Sequence, residues 1–311
     1  MTASCGRRHA ATAIVMILFS ALFLATMDAA TKQVSGALSV AFVMWARYTI
    51  QAIVMAVCIA RAVGRDGFRT AHPRFQILRG TALVTASGMA FISLRYMPLA
   101  EVTAIVMLSP VLVTAASRRM SRDGIGAMRW LLVCGAFLGT LVIIRPGSGA
   151  FGPIVIVPLL GMLVVSAYSL LTGRLALLEQ PSTTQFYSGV TGSVLSACAM
   201  LFVDAGFPDA LPASIAVHVT LLLLIGACST LGHLLLAMAF RRSNPASLMP
   251  FTYAQIGFAA ILSWVVFHHA PDFWTCVGMG TIAACGAITA WINMRSKTAA
   301  ALETSSLEIT S

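Results

Sequence analysis

The stretch ATAIVMILFSALFLATMDAA-TKQVSGA-LSVAFVMWARYTIQAIVMAVCIA, residues 11–60, decides the fold. Two apolar runs, Ala11–Ala30 and Leu38–Ala60, flank a short polar turn. At ~1.5 Å of rise per residue, each is long enough to cross a hydrocarbon layer of ~30 Å as a helix. Helix is the state expected, because a segment in lipid must satisfy its own backbone groups. Barrel strands would be about half as long and would alternate in polarity.

Outward from this stretch the pattern repeats. Further apolar runs fall at Ile77–Leu94, Val102–Ala116, Trp130–Ile144, Ile154–Gly173, Gln185–Val203, Val217–Phe240, Ser247–Phe267 and Phe273–Met294. The composition agrees: 59% of the residues are hydrophobic and 10% are charged, against about 25% charged in a soluble domain. The expected fold is an all-α membrane protein of ten transmembrane helices, with no separate soluble domain.

The charges test that count. Ten spans divide the connections into two groups. One holds Arg7, Arg8, Arg61, Arg65, Arg69, Arg74, Arg79, Arg118, Arg119, Arg122, Arg129, Arg174, Arg241, Arg242, Arg295 and Lys297. The other holds Lys32, Arg95 and Arg145 beside Glu101, Asp204, Asp209 and Asp272. Sixteen of the twenty basic residues thus lie on one side, which the positive-inside rule makes cytoplasmic, with both termini. The net charge of +10 is read as a topology signal with some anionic-lipid contact, and not as a nucleic-acid footprint. Arg7-Arg8-His9 before an apolar run resembles a signal peptide, but cleavage would invert the charge partition, so an uncleaved first span is expected.

The seven cysteines show no paired spacing, and His268-His269 is an adjacent pair whose side chains diverge on a helix. No metal and no cofactor is expected. The halves echo one another. Leu94-Arg95-Tyr96-Met97-Pro98 precedes span four, and Phe240-Arg241-Arg242-Ser243-Asn244-Pro245 precedes span nine. Five spans per half put the halves in opposite orientations, the inverted repeat common among secondary transporters.

The segments Leu78-Arg79-Gly80, Leu94–Ala104, Ser109-Pro110, Ile144-Arg145-Pro146-Gly147, Pro250-Phe251-Thr252-Tyr253-Ala254-Gln255 and Pro271-Asp272 resemble the drug/metabolite transporter superfamily, in particular its ten-helix EamA-type permeases. The likeness runs from about Ile14 to Asn293. It implies a first EamA-like repeat over residues 11–144 and a second over 154–294; the cytoplasmic tail 295–311, polar, short and without a buried face, is expected to be disordered. The family's frequent Gly-Glu after spans four and nine is absent. Asp123 stands near the first such place and His268-His269 at the second.

Polar groups at membrane depth are costly, so each is a candidate for function. Arg47 lies near the middle of the second span, beside Tyr48. Tyr168, His233, Tyr253 and Gln255 lie within other spans, and these six are the expected substrate-binding residues. Asp28, Lys32, Arg95 and Glu101 sit toward the outer ends and suit gating or coupling. Their bland reading is an interfacial ion-pair set, in which Asp28 and Lys32 have the i,i+4 spacing of a local pair. Pro110 and Pro250 interrupt spans four and nine, the best sequence pointer to a central site. Gly135 with Gly139, and Gly280 with Ala284, would let helices approach closely within a monomer; a homodimer seam is the alternative.

These residues point to a secondary transporter of small organic metabolites in an inner (plasma) membrane, with export slightly favoured over uptake. The resemblance implies solutes that are amino-acid-derived, nucleoside-like or similarly amphipathic or zwitterionic. Expected partners are a small-molecule substrate and membrane lipid, with no nucleic acid. No Walker-type loop, His-Glu-x-x-His or Gly-x-Ser-x-Gly is present, so no enzyme is expected. A lipid-handling flippase and, behind it, an intramembrane enzyme are the alternatives.

Overall fold

A computed structural model describes residues 2–120, 127–145, 152–202, 215–242, 248, 251–288 and 291–292. Among them every regular element is helical. The first half comprises α1 (Thr2–Val34), α2 (Val40–Ala62), α3 (Pro73–Tyr96), α4 (Leu99–Val106), α5 (Ser109–Met120) and α6 (Ala127–Ile144). The second comprises α7 (Ile156–Leu178), α8 (Pro181–Phe202), α9 (Ile215–Arg242), α10 (Ala254–Phe267) and α11 (Phe273–Ile288). By length and composition, five segments suffice to cross a membrane: α1 from Ala11, α2, α3, Gly152–Leu178 and α9. Leu99–Val113, Cys134–Ile143, α10 and α11 are shorter apolar helices. α8 matches the long helices in length, but its first half carries Ser182, Thr183, Thr184, Gln185 and Ser188.

Helix starts follow local chemistry. Ser39 caps α2, its Oγ accepting from the Phe42 amide at 3.2 Å. Pro73 occupies the first turn of α3, where a missing N–H costs nothing. Span four is two helices, α4 and α5, separated by a turn at Met107-Leu108. The break thus precedes Pro110, which sits in the first turn of α5 instead of interrupting a helix. In the second half the chain turns at Tyr253, just before α10. Pro250 and the tail 295–311 lie outside the described residues.

The bundle is inside-out relative to a soluble protein. Phe19, Ile53, Leu131, Leu138, Leu163, Leu223 and Trp264 are exposed, while Arg47, Gln51, Gln76, Arg79, Gln185 and Ser229 are fully buried. Lipid solvates the first group, and only a hydrogen-bonded interior can hold the second. The chain is a multi-pass membrane protein.

α1 packs along α9 and α10, α2 along α8 and α9, α3 along α7 and α8, and α7 against α4 and α5. Small residues set the closest approaches. A Cβ on Gly189 of α8 would lie 2.7 Å from the Ala52 backbone nitrogen in α2. Of the small residues expected to let helices approach, Gly135 and Gly139 bring α6 close to α11. Gly139 faces Gly278, Gly135 faces Cys285, and Gly280 meets open space.

Two clusters mark opposite ends of the bundle. At one, Lys32 donates to the Leu94 and Met97 carbonyls at 2.9 and 2.7 Å, satisfying the exposed end of α3. There too Glu101 lies 3.5 Å from His269, and Arg145 pairs with Asp272. Lys32 therefore does not form the expected pair with Asp28, and Arg95 is exposed and joins none of these contacts.

At the other end, Glu179, between α7 and α8, reaches the start of α3. Its Oε1 accepts from Thr70 Oγ1 (2.7 Å), the Ala71 amide (3.0 Å) and the His72 amide (3.2 Å), and lies 3.2 Å from His72 Nδ1. Partial burial alone would push the Glu179 carboxyl up. Hydrogen bonds from Thr70, His72 and the Ala71 and His72 backbone outweigh it and hold the carboxyl below its ordinary value. A depressed carboxylate stabilises the fold above its unfolded value, and that contribution is lost as pH falls through the folded value. Glu179→Gln is therefore expected to lower the apparent melting temperature at pH 7, by the equivalent of about 1 kcal/mol for a lost cap. The gap from the parent should close as the pH is lowered through the carboxylate range. A gap that stays constant from pH 7 to pH 3 would contradict this assignment.

Candidate functional site

A cavity of about 140 Å³ lies in the middle of the bundle, between α1, α2, α3, α7, α9 and the α4–α5 and α10 breaks. Its walls are mostly apolar. The polar groups it gathers include Asp28, Arg47, Tyr168, His233 and Gln255. Ligand pockets for drug-sized molecules run to roughly 300–1,000 Å³. This conformation therefore holds a small head group, and anything larger requires the surrounding helices to part.

Arg47 organises the site. It is fully buried in α2. Its Nε donates to Ser229 Oγ at 2.6 Å, and its Nη2 lies 3.1 Å from His233 Nε2, both on α9. The guanidinium lies 4.6 Å from the Tyr48 ring centroid and 5.5 Å from that of Phe91. These contacts hold a cation without a carboxylate beside it. Nη1 is buried and has no hydrogen-bond partner. A buried guanidinium donor left unpaired costs about 1–3 kcal/mol, and a bound solute would recover that.

Asp28 on α1 keeps part of its surface open and accepts a long hydrogen bond, 3.4 Å, from Gln255 of α10. Arg47 attracts it electrostatically, with no ion pair between the two. The site thus holds one cation and one carboxylate held apart from it.

Arg79 was placed above among the basic connecting residues, but it lies in α3 and is fully buried. It donates to Thr172, to Ser188, to the Thr184 carbonyl and to Tyr168 Oη at 2.9 Å. Its cationic plane sits 4.8 Å from the Tyr168 ring centroid. Each of its nitrogens finds a partner, so Arg79 ties α3, α7 and α8 together, whereas Arg47 presents a free donor. Pro73 at the start of the helix was the sequence signal that α3 begins early enough to contain Arg79.

Of the expected substrate-binding residues, Arg47, Tyr168, His233 and Gln255 come together at the cavity. Tyr48 lies behind Arg47 against Gly192 and donates to Ser87 Oγ at 3.0 Å. Tyr253 packs on Gly286 and does not line the cavity. Of the gating set, Asp28 and Pro110 line it, while Lys32, Arg95 and Glu101 do not. Ser229 and Ser87 were missed, because serines inside spans are too common to single out. Among the described residues no group of His, Cys, Asp and Glu could hold a metal ion, and His269 turns to Glu101.

Comparison with known proteins agrees with this architecture. A riboflavin transporter of Brucella anthropi is 27% identical over 260 residues, 82% of this chain and 89% of that protein. An S-adenosylmethionine uptake transporter of Rickettsia felis is 22% identical over 67% of this chain and 69% of that protein. A pseudopaline exporter of Pseudomonas aeruginosa is 24% identical over 89% and 95%. A solved crystal structure superposes with a TM-score of 0.64 over 93% of this chain and 98% of that one, at 18% identity, a likeness of fold alone. Residues 11–145 match the EamA-like transporter family, and this match together with the named relatives supports the drug/metabolite transporter superfamily.

Proposed function

We propose that the chain is a secondary transporter, and not an enzyme, that moves small organic metabolites across an inner membrane by alternating access. The observation that carries this is the mid-bundle cavity, lined by Asp28 and by Arg47, whose buried Nη1 has no hydrogen-bond partner, inside an apolar exterior. A site at that depth serves a solute that must leave water on one side and regain it on the other.

The packing supports two inverted repeats. Exchanging the halves maps α1 against α9 onto α7 against α3, and α2 against α9 onto α8 against α3. The same exchange maps α1 against α10 onto α7 against α4 and α5, and leaves α2 against α8 unchanged. Two such halves can rock about α2 and α8 and open the cavity to either side. Arg61, Arg65, Arg69, Arg74, Arg174, Arg241 and Arg242 favour the Glu179 end as cytoplasmic, with both termini there. The protein is taken to work as a monomer.

The relatives' names suggest the solute range: riboflavin, S-adenosylmethionine and pseudopaline. The amphipathic, zwitterionic class fits the two separated charges of the cavity, Arg47 and Asp28. Those names include both uptake and export, so direction is a readout of the test. The purified protein in liposomes is given radiolabelled riboflavin, S-adenosylmethionine, nucleosides and amino acids, with and without a pH gradient. Saturable flux of at least one is expected, and saturable flux of none would overturn the proposal.

A further inference from the structure

The polar path through the bundle has a direction, set by what each group can donate. Arg47 has donors only, so His233 Nε2, 3.1 Å from its Nη2, must accept. An imidazole with its lone pair at Nε2 is neutral and carries its proton on Nδ1. Nδ1 lies 3.3 Å from the Tyr168 hydroxyl and so donates to it. The same oxygen accepts from Arg79 Nη2 at 2.9 Å. Arg79 is itself fixed by Thr172 and Ser188. Two donors therefore converge on one phenol oxygen, and its own O–H proton has no acceptor among the described residues. Tyr168 is 3% exposed and borders the cavity.

We infer that Tyr168 is a solute-binding hydrogen-bond donor, set in that role by Arg79 and His233, and that with Arg47 Nη1 it forms a two-donor face of the cavity. Asp28 on α1 supplies the acceptor. Arg47 and Tyr168 lie on opposite edges of the His233 ring, so they reach different atoms of the solute. The site then selects an electroneutral solute with at least two acceptor oxygens and one N–H or ammonium group. A zwitterion and a neutral cyclic amide both meet that demand, whereas a simple cation or a simple anion leaves a buried partner unpaired. Arg79 and His233 are positioning residues: they occupy the phenol oxygen and leave its proton for the solute.

This rests on the cavity being the transported solute's site, and the test separates the two ideas. Flux is measured in proteoliposomes with riboflavin, S-adenosylmethionine and methionine as probes. Tyr168→Phe removes the donor but also strands Arg79 and His233, so it is paired with 3-fluorotyrosine at position 168. That substitution keeps the oxygen and makes the O–H a stronger donor. For a probe the parent protein carries, Tyr168→Phe should raise the half-saturating concentration about tenfold, the equivalent of one hydrogen bond. Fluorotyrosine should lower it about two- to threefold at unchanged melting temperature, an effect a packing role would not produce. For methionine or another zwitterionic probe, an amine and a carboxylate analogue, each lacking one charge, should compete at least tenfold more weakly. Flux indifferent to both Tyr168 substitutions would overturn the inference while leaving transport intact. Absence of flux for every probe would overturn the transport reading and this inference with it.

Discussion

Arg47→Gln raises the half-saturating solute concentration about 10–100-fold and leaves a folded, membrane-inserted protein. The Arg47 side chain does two separable jobs. Its Nε and Nη2 hold Ser229 and His233 and so join α2 to α9. Its Nη1 is buried without a hydrogen-bond partner, on a side chain that lines the cavity. A charge-assisted hydrogen bond to the solute is worth about 1.5–3 kcal/mol, which sets the fold-change expected. Glutamine is shorter and neutral, so it loses the solute contact along with the stacking on Tyr48 and Phe91. Ser229→Ala is the control. It removes the Nε partner and leaves Nη1, so it should lower stability by about 1 kcal/mol with little change in half-saturation. Equal transport defects in the two variants, read by initial-rate uptake, would show that Arg47 acts only as a brace.

The second large effect is on stability. Gly189→Val puts a branched side chain where even a Cβ would lie 2.7 Å from the Ala52 nitrogen and 2.9 Å from its Cα. Both contacts are backbone, which cannot rotate aside, so α2 and α8 must separate. Overpacking costs about 1–3 kcal/mol where side chains can yield, and more is expected here. The variant should lose its monodisperse elution in detergent or melt well below the parent. Gly280→Ala is the contrast: its added Cβ meets open space on an exposed helix face. It should be neutral or stabilising by up to ~1 kcal/mol through helix propensity. Similar melting for both glycine variants would contradict the close α2–α8 seam.

The two glycines show how far the sequence could be read. Small residues at helical spacing signal close packing, but the partner depends on how each helix is rotated. Hence Gly139 pairs with Gly278 and not through Gly280. The same rule divides the candidate site. Successive helical residues point ~100° apart. Arg47 and Tyr48 thus point in different directions, and while Arg47 lines the cavity Tyr48 turns to α8. Gln255 lines the cavity while Tyr253, two positions earlier and at the turn before α10, faces α11. Depth was legible, because a charge in an apolar run has few places to go. Facing was not, because these helices are apolar on nearly every side and carry little amphipathic signal.

Arg79 failed for another reason. Hydropathy sees α3 begin where the apolar residues begin, at Ile77, and so assigns Arg79 to the interface. The helix begins at Pro73, and Gln76, Arg79, Leu83 and Ser87 make one buried stripe at helical spacing. Its cation is held by hydroxyls and an aromatic face drawn from α7 and α8, far away in sequence. No local pattern announces such a partner set. The span pattern and the basic bias of one end, by contrast, are properties of composition along the chain, and they survive any rotation of the helices.

Solute counterflow tests the central claim most directly. Proteoliposomes are loaded with an excess of an unlabelled carried solute and diluted into a trace of the labelled form. A carrier that exposes one site alternately to each side predicts a transient overshoot of label, present in the parent and abolished at the same concentrations by Arg47→Gln. Label that equilibrates without an overshoot, or an overshoot that Arg47→Gln leaves unchanged, would contradict a transport site at the Arg47 cavity.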